Sequence, residues 1–290
     1  MTPCLRNFIT LCKPRVVLLM LLTVWAGMYL ASFDPAPWPL WLATTVGIAL
    51  MAGSAATINH MIDYRNDALM ERTRSRPLAS GKISLTAALI FAISQSVFGF
   101  LILYCFVNPL TALLTTFSGV GYAFFYSLYL KQATSQNIVI GGLAGAMPPL
   151  LGWTAVSGHL DPEGWLLVLI IFAWTPAHFW ALCLHRYKDY KKIAIPMLPI
   201  THGIPFTKLN IVFYSLLTMA VSFLPFAIGM SGSFYFACVL FLNIGLILHA
   251  FKLQFSNSDQ TIALKTFHYS LIYLTGLFIV ILLDHHLMVN

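Results

Sequence analysis

Apolar residues in this chain fall into long unbroken stretches rather than a short alternation. Runs at about 16–33, 40–60, 84–107, 110–130, 138–157, 165–184, 209–229, 233–251 and 267–283 are separated by polar segments. Each is near the ~20 residues that a helix needs to cross a bilayer, the last being the shortest. The pattern predicts an all-α polytopic membrane protein with nine transmembrane helices. The first run follows Arg6, Lys13 and Arg15, in the manner of a signal peptide. It is long enough to span, and no small-x-small cleavage site follows, so it reads as a retained helix.

Composition supports the same class. Hydrophobic residues make up 59% of the 290, charged residues 9%, and mean hydropathy is +0.82. A soluble domain carries about 25% charged residues. Cys4, Cys12, Cys105, Cys183 and Cys238 show no C-x-x-C spacing, and four of them lie in or beside apolar runs. They read as packed small residues rather than disulfides or ligands.

The net charge of +7 would suit nucleic acid, but the placement of the charges reports orientation instead. With the N-terminus cytoplasmic, the outward connections near 34–39, 108–109, 158–164 and 230–232, and the tail, hold Asp34, Asp161, Glu163 and Asp284 and no Lys or Arg. All sixteen basic residues fall on the other side. That is a positive-inside pattern, N-in and C-out. Eight or ten spans would move Lys252 and Lys265, or the tail, to the wrong side. The inward connections at 61–83 and 185–208 are long and charged, and 131–137 is short and polar. Polar chemistry is therefore expected at the cytoplasmic face.

Candidate chemistry begins where the second run ends. Asn59, Asp63 and Asp67 are spaced four apart, which places them on one helix face. They sit at a helix C-terminus, where the backbone already carries partial negative charge. Two carboxylates there call for a cation, and the oxygen ligands suit a hard divalent ion such as Mg²⁺. Arg65, Arg72, Arg74 and Arg76 follow at once and suit phosphate. His60 lies about 100° from Asn59 and is read as facing elsewhere. The sixth run ends with His185 and Asp189, again four apart, among Lys188, Lys191 and Lys192. Tyr126 and Lys131 close the fourth run. Two acid-bearing helix ends, each followed by basic residues, predict related halves at about 15–130 and 138–251 and a final helix at 267–283, in a single domain around one cavity. His178 lies deep in the sixth run after Pro176. It is either functional or a neutral histidine bonded to another helix. In the fifth run, Gly141, Gly142 and Gly145 predict close helix packing and Pro148-Pro149 a break.

A divalent cation, basic residues and an apolar cavity together fit a diphosphate head on a lipid tail. An allylic diphosphate would ionise there, and metal and cations would neutralise the leaving group. Aromatic rings such as Tyr126 would steady the carbocation. There is no Walker loop, His-Glu-x-x-His or glycine-rich dinucleotide loop.

Asn59-x-x-x-Asp63-x-x-x-Asp67, with a second acidic motif after the sixth span, resembles the UbiA-type intramembrane prenyltransferases. Lys13-Pro14-Arg15, Met70 to Leu78, Asn137 to Gly142 with Ala146 to Pro149, Pro176 to Leu182, and Ile195 to Pro199 resemble the haem-farnesylating branch of that family. These segments cover residues 13 to about 200; the last third matches only in general character. The resemblance implies nine helices around a central cavity opening near the cytoplasmic face, with Mg²⁺, farnesyl diphosphate and haem b, the last a substrate. The implied reaction adds a hydroxyethylfarnesyl group at a haem vinyl, giving haem O.

Carried onto this chain, the resemblance makes Asn59, Asp63, Asp67 and Asp189 the metal residues. They are catalytic together with Lys131. Lys13, Arg15, Arg65, Arg72, Arg74, Arg76, Tyr126, His178, His185 and Lys188 are expected to hold substrate. The arginines would serve the diphosphate or the haem propionates. His178 would ligate iron or accept a proton. His185 stands where the wider family has an acid, which leaves a second metal site with one carboxylate or none. A bacterial inner membrane is the expected location, with a haem A synthase or a terminal oxidase downstream and no nucleic acid. Prenyl transfer to an aromatic acid, and a non-enzymatic haem assembly or transport protein, are the competing readings.

Overall fold

The computed structural model describes residues 3–34, 36–71, 73–192, 196–256 and 259–289. Arg72 and Ile195 lie outside the described residues. Those described are helical or irregular, with no strand among them. The helices are α1 (Pro3–Leu11), α2 (Pro14–Leu30), α3 (Trp38–Leu69), α4 (Leu85–Phe106), α5 (Pro109–Leu130), α6 (Asn137–Ala146), α7 (Pro148–Ser157), α8 (Pro162–His185), α9 (Tyr187–Lys192), α10 (Leu198–Thr201), α11 (Ile204–Ala227), α12 (Ser233–Gln254) and α13 (Asp259–Val289). Among the described residues eight spans are long and apolar enough to cross a membrane, counting α6 and α7 as one. A ninth is reached if the bent pair of α1 from Leu5 and α2, at 53°, is one span.

Local sequence explains most boundaries. Proline stands in the first turn of α2, α3, α5, α7 and α8, where its missing N–H is not needed. The Ser84 hydroxyl accepts from the Ala87 N–H, and the Asn108 carboxamide oxygen from the Thr111 N–H, as N-caps of α4 and α5. Gly158 ends α7 in the left-handed region, at φ 71°. The last run is longer than its apolar content indicated. α13 has 31 residues, because polar flanks at both ends continue the helix and no Gly or Pro stops it.

One compact unit comprises residues 1–130 and 147–160. Within it α3 packs along α4, and α2 along α7. A Cβ added to Gly27 would strike the Pro149 carbonyl, and one on Gly152 the Val24 carbonyl. The α2 and α7 backbones therefore touch, as small residues permit. Of the glycines expected to pack closely, Gly142 has only the Thr175 side chain near it, and Gly145 faces open space. The tight approach falls beyond the Pro148-Pro149 break instead. The outer face of α4 exposes Ile90, Ile93, Val97 and Leu101, as lipid contact requires.

The second unit comprises residues 131–146 and 161–290, with α8 packed on α11 and α13, and α12 on α13. A buried polar network ties its far end together. The Tyr235 hydroxyl donates to the Ser222 carbonyl at 2.7 Å, the Asn243 amide to the Ser222 hydroxyl at 2.9 Å, and the Tyr273 hydroxyl to Asn243 at 2.9 Å. Asp284, on α13, accepts from the backbone N–H groups of Gly232 and Tyr235 at 2.6 and 3.0 Å. It thus caps α12 from another helix, where the dipole favours an anion. Asp284→Ala leaves two N–H groups without their acceptor. The expected loss is about 1–3 kcal/mol, read as a lowered thermal midpoint in detergent. An unchanged midpoint would show that the cap contributes nothing.

Candidate functional site

α3 continues unbroken from the apolar run through Leu69, so the acidic row is helical throughout. Asn59, Asp63 and Asp67 are all buried. Asn59 organises the upper part. Its side-chain oxygen accepts from the Lys13 ammonium at 2.6 Å. Its amide donates to the Ser127 hydroxyl at 2.9 Å and, more weakly, to an Asp63 oxygen at 3.3 Å.

Two local irregularities bring those partners in. Lys13 has φ 50° and ψ 58°, and is the one non-glycine residue with positive φ among those described. It forms the corner between α1 and α2 just before Pro14, where an α-region backbone would clash. Ser127 lies in the second half of α5, where Gly121–Leu130 is wound as a π-helix. Its hydroxyl also donates to the Tyr122 carbonyl five residues back, at 3.0 Å. The wider winding turns Ser127 toward Asn59, as such departures do at functional sites. It also stacks Tyr126 on Tyr122, with ring centroids 5.8 Å apart.

The lower part of the row is closed by the loop that follows. Nη1 of Arg76 donates to both Asp67 oxygens, at 2.9 and 2.7 Å. The Thr73 hydroxyl donates to the Asp67 backbone carbonyl at 2.9 Å and pins the loop to the helix end. The protein's own cations therefore cover two members of the row, Lys13 at Asn59 and Arg76 at Asp67. Among the described residues no three or more His, Cys, Asp or Glu side chains converge as a cation cage. Two carboxylates and an amide could hold a hard divalent cation such as Mg²⁺ only if other oxygens, such as water, completed its coordination.

His60 belongs to this site, contrary to the sequence reading. It is 3% exposed, and its Nδ1 lies 4.0 Å from an Asp67 oxygen. Neither ring nitrogen has a hydrogen-bond partner. Its spacing from Asp67 was the available signal: seven residues are nearly two full turns. Each orphaned nitrogen costs about 1–3 kcal/mol. His60→Phe is therefore expected to raise the thermal midpoint or leave it unchanged, and to lower activity. Lost stability with activity intact would show an ordinary packed residue.

Among the described residues, Arg65, Arg15 and Arg74 make no hydrogen bond to the row. Arg65 is exposed, with Nε on the Tyr64 hydroxyl at 3.0 Å and its guanidinium 5.7 Å from that ring centroid. Arg15 and Arg74 are exposed.

In the second unit, the expected His185–Asp189 helix face is not continuous. α8 ends at His185, Arg186 leaves helical geometry at φ −103° and ψ 26°, and α9 begins at Tyr187. No Gly or Pro announces the break. His185 donates from Nδ1 to the Gln260 carbonyl at 3.1 Å, since a carbonyl can only accept. Asp189 and Lys188 are exposed, and Lys131 is half-buried. His178 lies between Trp174 and Phe267, at 4.2 and 4.6 Å between centroids, with Nδ1 2.7 Å from the Ser270 hydroxyl on α13. It is thus bonded to another helix, as one of the two sequence readings had it.

Comparison with known proteins places these residues in context. Residues 20–272 match the model of the UbiA prenyltransferase family. The chain is 55% identical over 281 residues to a protoheme IX farnesyltransferase of Legionella pneumophila (strain Paris), covering 97% of this chain and 95% of that one. Its fold is similar to that of a digeranylgeranylglyceryl phosphate synthase, with TM-score 0.83, 18% identity and coverage of 98% and 99%. It is also similar to a UbiA homologue from Archaeoglobus fulgidus bound to DMAPP and Mg²⁺, with TM-score 0.66, 17% identity and coverage of 95% and 99%.

Proposed function

Because the chain belongs to the UbiA prenyltransferase family, we infer that it transfers a farnesyl group from farnesyl diphosphate to a vinyl group of haem b, giving haem O. The observation that carries the acceptor is the 55% identity, over nearly the whole chain, to a protoheme IX farnesyltransferase.

The geometry supports the following roles. Asn59, Asp63 and Asp67 would hold Mg²⁺, which supplies charge neutralisation for the leaving diphosphate. Lys13 and Arg76 present donors beside the row, where the phosphate oxygens gain charge as the farnesyl C1–O bond breaks. The diphosphate leaves with the electron pair. The terminal vinyl carbon then bonds to C1, and the resulting cation beside the porphyrin takes up water, which loses a proton. No strong base is needed to activate the acceptor. Tyr126 and Tyr122 offer π faces at the same level of α5. Asp189, Lys131, Lys188 and His185 are assigned the second acidic motif, and His178 and the remaining arginines the haem.

Nine spans, N-in and C-out, belong to the same reading. The positive-inside pattern supports them, and the bent α1–α2 pair would be the ninth. So do a water-excluding cavity open toward the cytoplasmic side, a bacterial inner membrane, and onward delivery to a haem A synthase or terminal oxidase.

The test is direct. Purified protein in detergent is given haem b, farnesyl diphosphate and Mg²⁺, and products are read by mass spectrometry. A haem heavier by one farnesyl and one hydroxyl group, absent with EDTA, is expected. Intact haem alongside transfer to 4-hydroxybenzoate would overturn the acceptor.

A further inference from the structure

Arg76 and a divalent cation have claims on the same carboxylate. Both Asp67 oxygens are taken by one guanidinium nitrogen, Nη1, at 2.7 and 2.9 Å. The pair is shielded, with the Asp67 side chain 8% exposed and that of Arg76 26% exposed. Nε and Nη2 of Arg76 make no hydrogen bond among the described residues. The guanidinium therefore has donors to spare, and about a quarter of its side chain is exposed. Thr73 fixes the loop backbone to the end of α3, so Arg76 can move its side chain without the loop leaving.

We propose that Arg76 occupies the place of the metal at Asp67, and that metal loading releases it toward the substrate diphosphate. This rests on the cation role assigned above to the acidic row. Arg76 is then a positioning residue before it is a phosphate ligand. It offsets the charge of the buried Asp67 carboxylate when no metal is bound. Once a divalent cation takes the Asp67 oxygens, the guanidinium loses its partner and its full set of donors turns to phosphate. The two events assist each other. The diphosphate draws Arg76 off Asp67 and so tightens metal binding, and by linkage the metal tightens diphosphate binding by the same factor. A row without this plug would hold the metal in the absence of substrate.

The consequence has an unusual sign: removing a cation that serves the substrate strengthens the binding of free metal. The experiment is Mn²⁺ titration followed by electron paramagnetic resonance on the full-length protein in detergent, without diphosphate. Wild type is compared with Arg76→Gln and Arg76→Lys, and with Lys82→Ala. Lys82 is exposed on the same loop and outside the site, so that variant measures loss of a charge alone. Arg76→Gln is expected to bind Mn²⁺ about ten times more tightly than wild type, Arg76→Lys to fall between them, and Lys82→Ala to stay within twofold. Addition of farnesyl thiodiphosphate should tighten Mn²⁺ binding in wild type by a similar factor, and far less in Arg76→Gln. Equal or weaker Mn²⁺ binding by both Arg76 variants, with Asp63→Ala abolishing it, would overturn the exchange and keep the metal site. The substrate-induced tightening is read on wild type, and its absence overturns the exchange even if the variants fail to fold. Mn²⁺ binding that Asp63→Ala does not affect would overturn the metal site itself.

Discussion

Asp63→Ala is expected to abolish farnesyl transfer, by a factor of about 10³ or more, while leaving the protein folded. Asp63 is the middle member of the row and one of its two carboxylates. Without it a divalent cation would keep one carboxylate and an amide, too little charge to hold a leaving diphosphate. The bond from Asn59 is long, at 3.3 Å, and Asn59 keeps its shorter contacts to Lys13 and Ser127. Asp63→Asn has nearly the same shape, and should lose almost as much activity because it too removes the charge. Single-turnover transfer and the thermal midpoint, measured on the same preparation, check both halves. Activity within tenfold of wild type in either variant would remove Asp63 from the chemistry.

The row itself was legible because four-residue spacing on a helix is a geometric statement that needs no partners. The spans were legible for a similar reason: eight apolar runs coincide with helices long and apolar enough to cross a membrane, and the first lies on the bent α1–α2 pair. What escaped depends on contacts distant in sequence. The drift of a four-residue row is about 40° per step. It carries Asp67 some 80° around α3 from Asn59, and so to within about 20° of His60. Judging His60 against Asn59 alone therefore missed its neighbour. Asp284 read as one outward charge, whereas it caps a helix 49 residues earlier, at Tyr235. The π-helical turn that aims Ser127 has no sequence marker, because Gly121 to Leu130 is as apolar as any helix. Nor does the break at Arg186, which separates His185 from Asp189. In the arginine series, four residues look equivalent on paper. Of the three described, only Arg76 lies on a carboxylate of the row, because the loop turns back at Thr73 and returns it to Asp67.

Lys13→Met is expected to reduce transfer by about 100-fold, and a glycine at the same position separates the causes. Methionine keeps much of the stem but leaves the Asn59 oxygen without the ammonium at 2.6 Å and the diphosphate with Arg76 alone beside the row. It retains a side chain at φ 50°, a conformation that costs a non-glycine residue about 1–2 kcal/mol. Lys13→Gly loses the same ammonium but removes that strain. Its looser unfolded chain returns about 0.4–1 kcal/mol of the gain. Lys13→Gly should thus be as inactive as Lys13→Met and more stable, by up to about 1 kcal/mol. The ordering reads the two contributions separately: the shared loss of activity belongs to the ammonium, the stability gap to the backbone. If both variants kept wild-type transfer, the strained corner would serve only to turn α1 into α2. If Lys13→Met lost activity and Lys13→Gly were no more stable, the corner would be held by its own packing. Strain held at Lys13 for the sake of reaching Asn59 predicts the remaining pattern, inactivity in both and greater stability in the glycine variant.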